Sequence, residues 1–116
     1  VEASFRDEMK KILAEGFTAE EIEAGKNGLE RAKTIMMSGN YDVVILEEAN
    51  VAINCGLFSA EDVAEIMDIK PDHVELIITG RGAPQMLTDK ADLVTEMKEI
   101  RHYYKNGVSA RVGIEK

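Results

Sequence analysis

Cysteine, basic residues and long apolar runs are scarce in this sequence, and each scarcity removes a class of protein. Cys55 is the single cysteine among 116 residues, so no disulfide can form within the chain and a reducing, cytoplasmic compartment is expected. Lys and Arg number 14 against 22 Asp and Glu, giving a formal net charge of −8. With no basic cluster to neutralise phosphates, a nucleic-acid partner is not expected, and a small molecule or a protein is favoured. No apolar run approaches the roughly 20 residues of a bilayer-spanning helix, and no charged-then-apolar leader opens the sequence, so neither membrane insertion nor export is expected. Internal repeats, low-complexity tracts and Gly/Ser-rich linkers are also missing. A single α/β domain over residues 1–116 is therefore the expectation.

What the sequence does hold is a patterned 45% of apolar residues, enough to bury one core. Phe5, Met9, Ile12 and Leu13 recur at helical spacing and stop at Gly16, which predicts a short amphipathic helix from Ser4 to Glu15. Thr18 followed by Glu21 has the form of a capping box. Ile22, Leu29, Ala32 and Met36 then mark one face of a longer helix that ends before Gly39. Val43-Val44-Ile45-Leu46 is an unbroken aliphatic run, which predicts a parallel strand covered on both faces. Ser59 opens a second capped helix with Val63, Ile66 and Met67, and Pro71 ends it before a second strand at Val74 to Ile78. A short helix from about Pro84 to Thr88 follows. A strand from Ala91 to Met97 and alternating apolar residues from Val108 to Ile114, after the Asn106-Gly107 turn, complete the pattern. This alternation predicts a three-layer α/β sheet.

Ligands of open α/β sheets collect beyond the carboxyl ends of the strands, and three segments are expected at that edge. Glu47-Glu48 and Asn50 follow the first strand, the layout in which a carboxylate orients the hydration shell of a nucleotide-bound Mg²⁺. A first helical turn or a solvated loop explains the same two acids equally well. Thr79-Gly80-Arg81-Gly82 follows the second strand, with glycines that admit close backbone approach and a planar guanidinium suited to phosphate; a plain turn with a solvated arginine is the alternative. Thr95-Glu96, with His102 beyond, supplies a further carboxylate and an imidazole for proton transfer, or a merely exposed histidine. His73, His102 and Cys55 are not at zinc-ligand spacing, and Cys55 has no identifiable base, so a structural thiol is expected there.

Taken in order, Tyr41 to Asn50, Gly56-Leu57, Lys70 to Arg81, Ala83-Pro84, Ala91 to Met97, Gly107 to Ala110 and Gly113 to Glu115 resemble the ATP:corrinoid adenosyltransferase family, from about Gly16 to Glu115. The resemblance implies a P-loop NTPase-like (RecA-like), mostly parallel sheet whose N-terminal part is missing, with this chain as the C-terminal two-thirds of the domain. It implies transfer of the 5′-deoxyadenosyl group of ATP to Co(I) of a corrinoid in cobalamin biosynthesis or salvage, with Mg²⁺, a homodimer and an electron-donating reductase. By position, Glu47, Glu48, Asn50, Thr79, Gly80, Arg81, Thr95 and Glu96 match the ATP and metal side, with Glu47 and Glu48 nearest the metal. Phe17 and Thr18 match the segment at the lower face of the corrinoid.

The departures from the family pattern are specific. No Gly-x-x-x-x-Gly-Lys-[Ser/Thr] phosphate loop occurs in the 116 residues. Ala19 stands for a frequent tryptophan, Glu47 for the usual aspartate, Val51 for a common tyrosine and Arg111 for a common glutamine. The first residue is Val1, as expected of a processed or shortened chain. Two other readings stay open: a non-catalytic corrinoid-binding or dimerisation derivative, and a generic P-loop-like ATPase fragment.

Overall fold

The pairing of Thr18 with Glu21 starts the longest helix, as the sequence predicts. In the computed structural model, which describes residues 16–114, the Thr18 hydroxyl accepts from the Glu21 amide at 3.1 Å. The Glu21 carboxylate in turn accepts from the Thr18 amide at 3.1 Å. Helix α1 then runs over Ala19–Met37. The helix expected from Ser4 to Glu15 lies outside the described residues.

The Ser59 cap works in the same way for α3, Ala60–Ile69, with both bonds to Asp62 at 3.1 Å. The Ser59 backbone N–H, and after it the hydroxyl, hold the Asp62 carboxyl below its ordinary range. A cap of this kind contributes about 1 kcal/mol to its helix. The last described helix is α4, Gln85–Lys90, preceded by Pro84 and close to the expected position.

Strands β1, Val43–Leu46, and β2, Glu75–Ile78, pair in parallel with Val43 opposite Glu75 and Leu46 opposite Ile78. Two further bonds lengthen the ladder: the Glu75 amide donates to the Asp42 carbonyl at 2.8 Å, and the Thr79 amide to the Leu46 carbonyl at 3.2 Å. Side chains alternate across the sheet. Val44, Leu46, Leu76 and Ile78 therefore face a core of Leu29, Met36, Val63, Ile66, Val74 and Leu87. Met36, Val63, Ile66 and Val74 are fully buried, each contributing roughly 1.5–3 kcal/mol of apolar transfer. Lys33 pairs with Glu30 at 2.9 Å and with Glu65 at 3.3 Å, tying α1 to α3. Lys90 pairs with Asp68 and ties α4 to α3.

Gly25 marks a close approach of α1, because a Cβ there would lie 2.5 Å from Leu57 Cγ.

The mixture of helices with a parallel sheet is that of an α/β fold, but three expectations need correction. The strands are not covered on both faces: Val43, Ile45 and Ile77 share the second face and are exposed, Ile45 by 58%. No third layer occurs among the described residues. The segment expected as a strand at Ala91 to Met97 is not one, and the alternating apolar residues from Val108 to Ile114 form no strand either. A strand exists only with a neighbour for its N–H and C=O groups, and the described sheet consists of β1 and β2 alone. Leu93 and Met97 are consequently exposed, by 83% and 93%.

Two units divide the chain: Phe17–Asp92 holds the elements above, and Leu93 onward belongs to the second. The second unit contains a 3₁₀ turn at Tyr103–Asn106, closed by Gly107 in the left-handed conformation. Arg111 lies over the Tyr103 ring, 4.8 Å from its centre.

Candidate functional site

Parallel pairing brings the carboxyl ends of β1 and β2 to one edge, so the residues after Leu46 and after Ile78 meet there. The chain leaves β1 through Glu47 and Glu48 and enters a short helix, α2, over Ala49–Asn54, which the sequence did not predict. The reversal takes place at Glu48, with φ 59° and ψ 20°, the single non-glycine residue of positive φ among those described. A side chain with a Cβ is disfavoured there by about 1 kcal/mol or more. Its amide is satisfied by the Thr79 hydroxyl at 3.0 Å.

Thr79 uses every polar group it has. Its amide extends the ladder to Leu46, its hydroxyl accepts from Glu48, and its carbonyl accepts from the Asn50 amide at 3.2 Å. The Asn50 side chain donates to the Gly80 carbonyl at 3.0 Å. Gly80, at φ 122°, permits this approach, since a Cβ would meet Asn50 Cβ at 3.1 Å and the Val51 amide nitrogen at 3.2 Å. The acidic turn and the Thr-Gly-Arg loop are thus one hydrogen-bonded construction.

The structure brings together Glu47, Glu48, Asn50, Thr79, Gly80 and Arg81 at this edge. Among the described residues, the carboxylates of Glu47 and Glu48 and the guanidinium of Arg81 have no hydrogen-bond or ion-pair partner. Glu47 and Arg81 are exposed and Glu48 half-buried, so these three groups are available to a ligand. Asn50 is only 5% exposed and its Oδ1 has no partner. Asn54, which sequence reasoning missed, donates from its side chain to the Gly82 carbonyl at 2.8 Å and to that of Arg81 at 3.4 Å. Its position one helical turn after Asn50 was the available signal, but that signal depends on α2 being recognised as a helix.

Thr95 and Glu96 lie in the second unit, exposed, and not at a strand end. His102 is held as a cap: its Nδ1 accepts from the Tyr104 amide at 2.9 Å, a local reason for a histidine there. Phe17 is half-buried directly before Thr18, and the Thr18 hydroxyl is engaged in capping α1. Cys55 is a half-buried free thiol at the end of α2. No cluster of three or more His, Cys, Asp or Glu suited to a metal occurs among the described residues. No described helix is long and apolar enough to cross a membrane.

Parallel strands with acids after one and a Gly-Arg loop after the next define an α/β module whose strand-end edge is of the kind at which ligands of open sheets collect. The sequence matches the family ATP:corrinoid adenosyltransferase BtuR/CobO/CobP over residues 5–115, and the chain belongs to that family. It is 34% identical over 113 residues to a corrinoid adenosyltransferase of Sinorhizobium sp., covering 89% of this chain and 51% of the relative. A corrinoid adenosyltransferase of Escherichia coli K12 is 27% identical over 111 residues, covering 90% and 57%. An uncharacterized protein of Nostoc sp. is 44% identical over 102 residues, which are 83% of this chain and 27% of that protein. The chain thus spans about half the length of these two adenosyltransferases and about a quarter of the Nostoc protein.

Proposed function

We propose that this chain supplies the acidic and Thr-Gly-Arg side of a site that transfers the 5′-deoxyadenosyl group of ATP to Co(I) of a corrinoid, in cobalamin biosynthesis or salvage. The observation that carries the reading is the stitching of the Glu47-Glu48 turn to the Thr79–Gly82 loop, which leaves two carboxylates and one guanidinium unengaged at a single strand edge. The names of the related adenosyltransferases support the same chemistry. In the reaction, cobalt donates an electron pair to the ribose C5′, a Co–C bond forms, the C5′–O bond breaks, and triphosphate leaves with the bonding pair.

Within this reading Arg81 binds phosphate oxygens through its planar fork. Asn50, Thr79 and Gly80 shape the loop that carries it. Mg²⁺ in nucleotide sites is held by one or two carboxylates, with phosphates and waters completing its shell; here the unengaged carboxylates of Glu47 and Glu48 would hold it. When bound it would neutralise charge developing on the triphosphate. Thr95 and Glu96 are assigned to the ATP side, and Phe17 and Thr18 to the corrinoid side, by resemblance. Catalysis here is orientation and electrostatics, with no covalent nucleophile or general base. The reading extends to a homodimer, a reductase partner and a cytoplasmic setting.

The test uses the full-length natural polypeptide with ATP, Mg²⁺ and chemically reduced corrinoid, following loss of the Co(I) absorption and isolating the product. Adenosylated corrinoid is expected, with turnover impaired by Glu48→Gln. Absence of adenosylated product sinks the reading. A second reading, a non-catalytic corrinoid-binding or dimerisation derivative, is favoured by Ala19 and Glu47 standing where the family pattern has tryptophan and aspartate, and predicts corrinoid binding without turnover.

A further inference from the structure

We propose that Asn54, with Asn50 one turn before it, is a positioning residue that sets the direction in which Arg81 leaves its loop toward an anionic phosphate ligand. The inference rests on reading this edge as a nucleotide site and adds to it a pair of carboxamides acting through Arg81. Residues four apart on a helix share a face, and α2 presents Asn50 and Asn54 in that relation. Their amide nitrogens hold three consecutive carbonyls. Asn50 takes that of Gly80 at 3.0 Å, and Asn54 takes those of Gly82 at 2.8 Å and, more weakly, Arg81 at 3.4 Å.

Peptide planes are rigid, and the two that flank the Arg81 Cα carry the Gly80 and Arg81 carbonyls, so holding both, with the Gly82 carbonyl anchoring the next plane, fixes the backbone from which its side chain departs. Both flanking glycines have positive φ, 122° at Gly80 and 67° at Gly82, a pairing that leaves the loop floppy unless something outside it selects one conformation. The fit is close: a Cβ on Gly82 would lie 2.6 Å from the Asn54 amide nitrogen, and its next neighbour within 4 Å is Asn54 Cγ at 3.8 Å. Asn50 meanwhile keeps a buried, unpartnered Oδ1. An orphaned acceptor costs stability, and the Asn50 amide group nevertheless occupies this position while holding the Gly80 carbonyl.

The experiment compares wild type, Asn54→Asp, Asn54→Gln, Arg81→Ala and the Asn54→Asp/Arg81→Ala double variant in the full-length polypeptide. Asn54→Asp keeps shape but presents oxygens to the carbonyls in place of a donor. Because Asn54 is exposed, the fold should survive, which far-UV circular dichroism checks. Losing the two Asn54 bonds, the shorter of them to Gly82, should raise KM for ATP by roughly three- to tenfold with kcat changed far less. Asn54→Gln, which retains a donor, should recover part of that loss. In the Arg81→Ala background Asn54→Asp should add nothing, the non-additivity of two residues acting through one contact.

Equal effects of Asn54→Asp with and without Arg81, or no effect of Asn54→Asp in an active protein, overturns the proposal. Backbone amide exchange at residues 80–82 without any ligand provides a readout separate from turnover. Faster exchange there in Asn54→Asp supports the positioning role, and unchanged exchange overturns it, even if wild type proves inactive and the nucleotide reading falls.

Discussion

Replacing Glu48 by glycine should stabilise the protein while removing a residue assigned to its site. Glu48 sits at φ 59° and ψ 20°, and holding a Cβ there costs about 1–2 kcal/mol. Glycine removes that cost but adds roughly 0.4–1 kcal/mol of freedom to the unfolded chain. The net expectation is a gain of about 0–1.6 kcal/mol, centred near 0.8 kcal/mol, which for a chain of this size corresponds to a rise of roughly 3–6 °C in Tm. The Glu48→Ala variant separates the two contributions, since it also deletes the carboxylate yet keeps the Cβ. Its stability should match or fall slightly below wild type. Urea unfolding followed by far-UV circular dichroism, with a common m-value, gives the difference between the two variants directly. If Glu48→Gly is no more stable than Glu48→Ala, the left-handed turn carries no strain and the argument fails. Both variants should lose metal-dependent turnover alike; a fully active Glu48→Gly would remove the carboxylate from the site.

Four further outcomes are expected. Gly28→Ala, where a Cβ meets nothing within 4 Å, should stabilise α1 by roughly 0.8–1 kcal/mol. Gly25→Ala should lose that gain because Leu57 must move from 2.5 Å, and equal rises in Tm for the two would refute the packing of α1 on Leu57. Ile66→Ala, at a fully buried core position, should cost about 2–5 kcal/mol in urea unfolding; a cost below 1 kcal/mol would show that the core collapses around the vacancy. Asp62 should titrate below 3.8 because the Ser59 N–H and hydroxyl stabilise its carboxylate. Its contribution is present above the unfolded pKa and disappears as pH falls through the lower folded value. Carboxyl titration by nuclear magnetic resonance checks this, and an Asp62 value at or above 3.8 contradicts the capping account.

Those features of the fold that depend on neighbours in sequence were legible. Thr18 with Glu21 and Ser59 with Asp62 are bonds across three residues, so the helix starts could be read directly. The aliphatic run at Val43 to Leu46 likewise announced a strand, although not which of its faces would be covered. Helix α2 was hidden because it begins on a left-handed glutamate without a side-chain cap and carries β-branched Val51 and Ile53 between two asparagines, all weak helix formers. Ala91 to Met97 has strand-like composition, yet composition cannot supply the hydrogen-bonding neighbour that a strand requires. At the site, Glu47, Glu48, Thr79, Gly80 and Arg81 were recognised as segments in family order. The bonds that join them span 30 and 31 residues, and those of Asn54 span 27 and 28, distances at which local pattern carries no information.

The uncovered sheet face has a consequence for how the described module behaves in solution. Val43, Ile45 and Ile77 are exposed together on one face, beside Glu75, and no third strand pairs with β1 or β2 in the described sheet, features through which copies of a chain associate. Electrostatic repulsion from a net charge of −8 opposes such association at neutral pH, but only over a Debye length that shrinks to about 3 Å at 1 M salt. Colloidal stability should therefore be poorest in concentrated salt and near the isoelectric point of 4.8, and best in dilute buffer well above it.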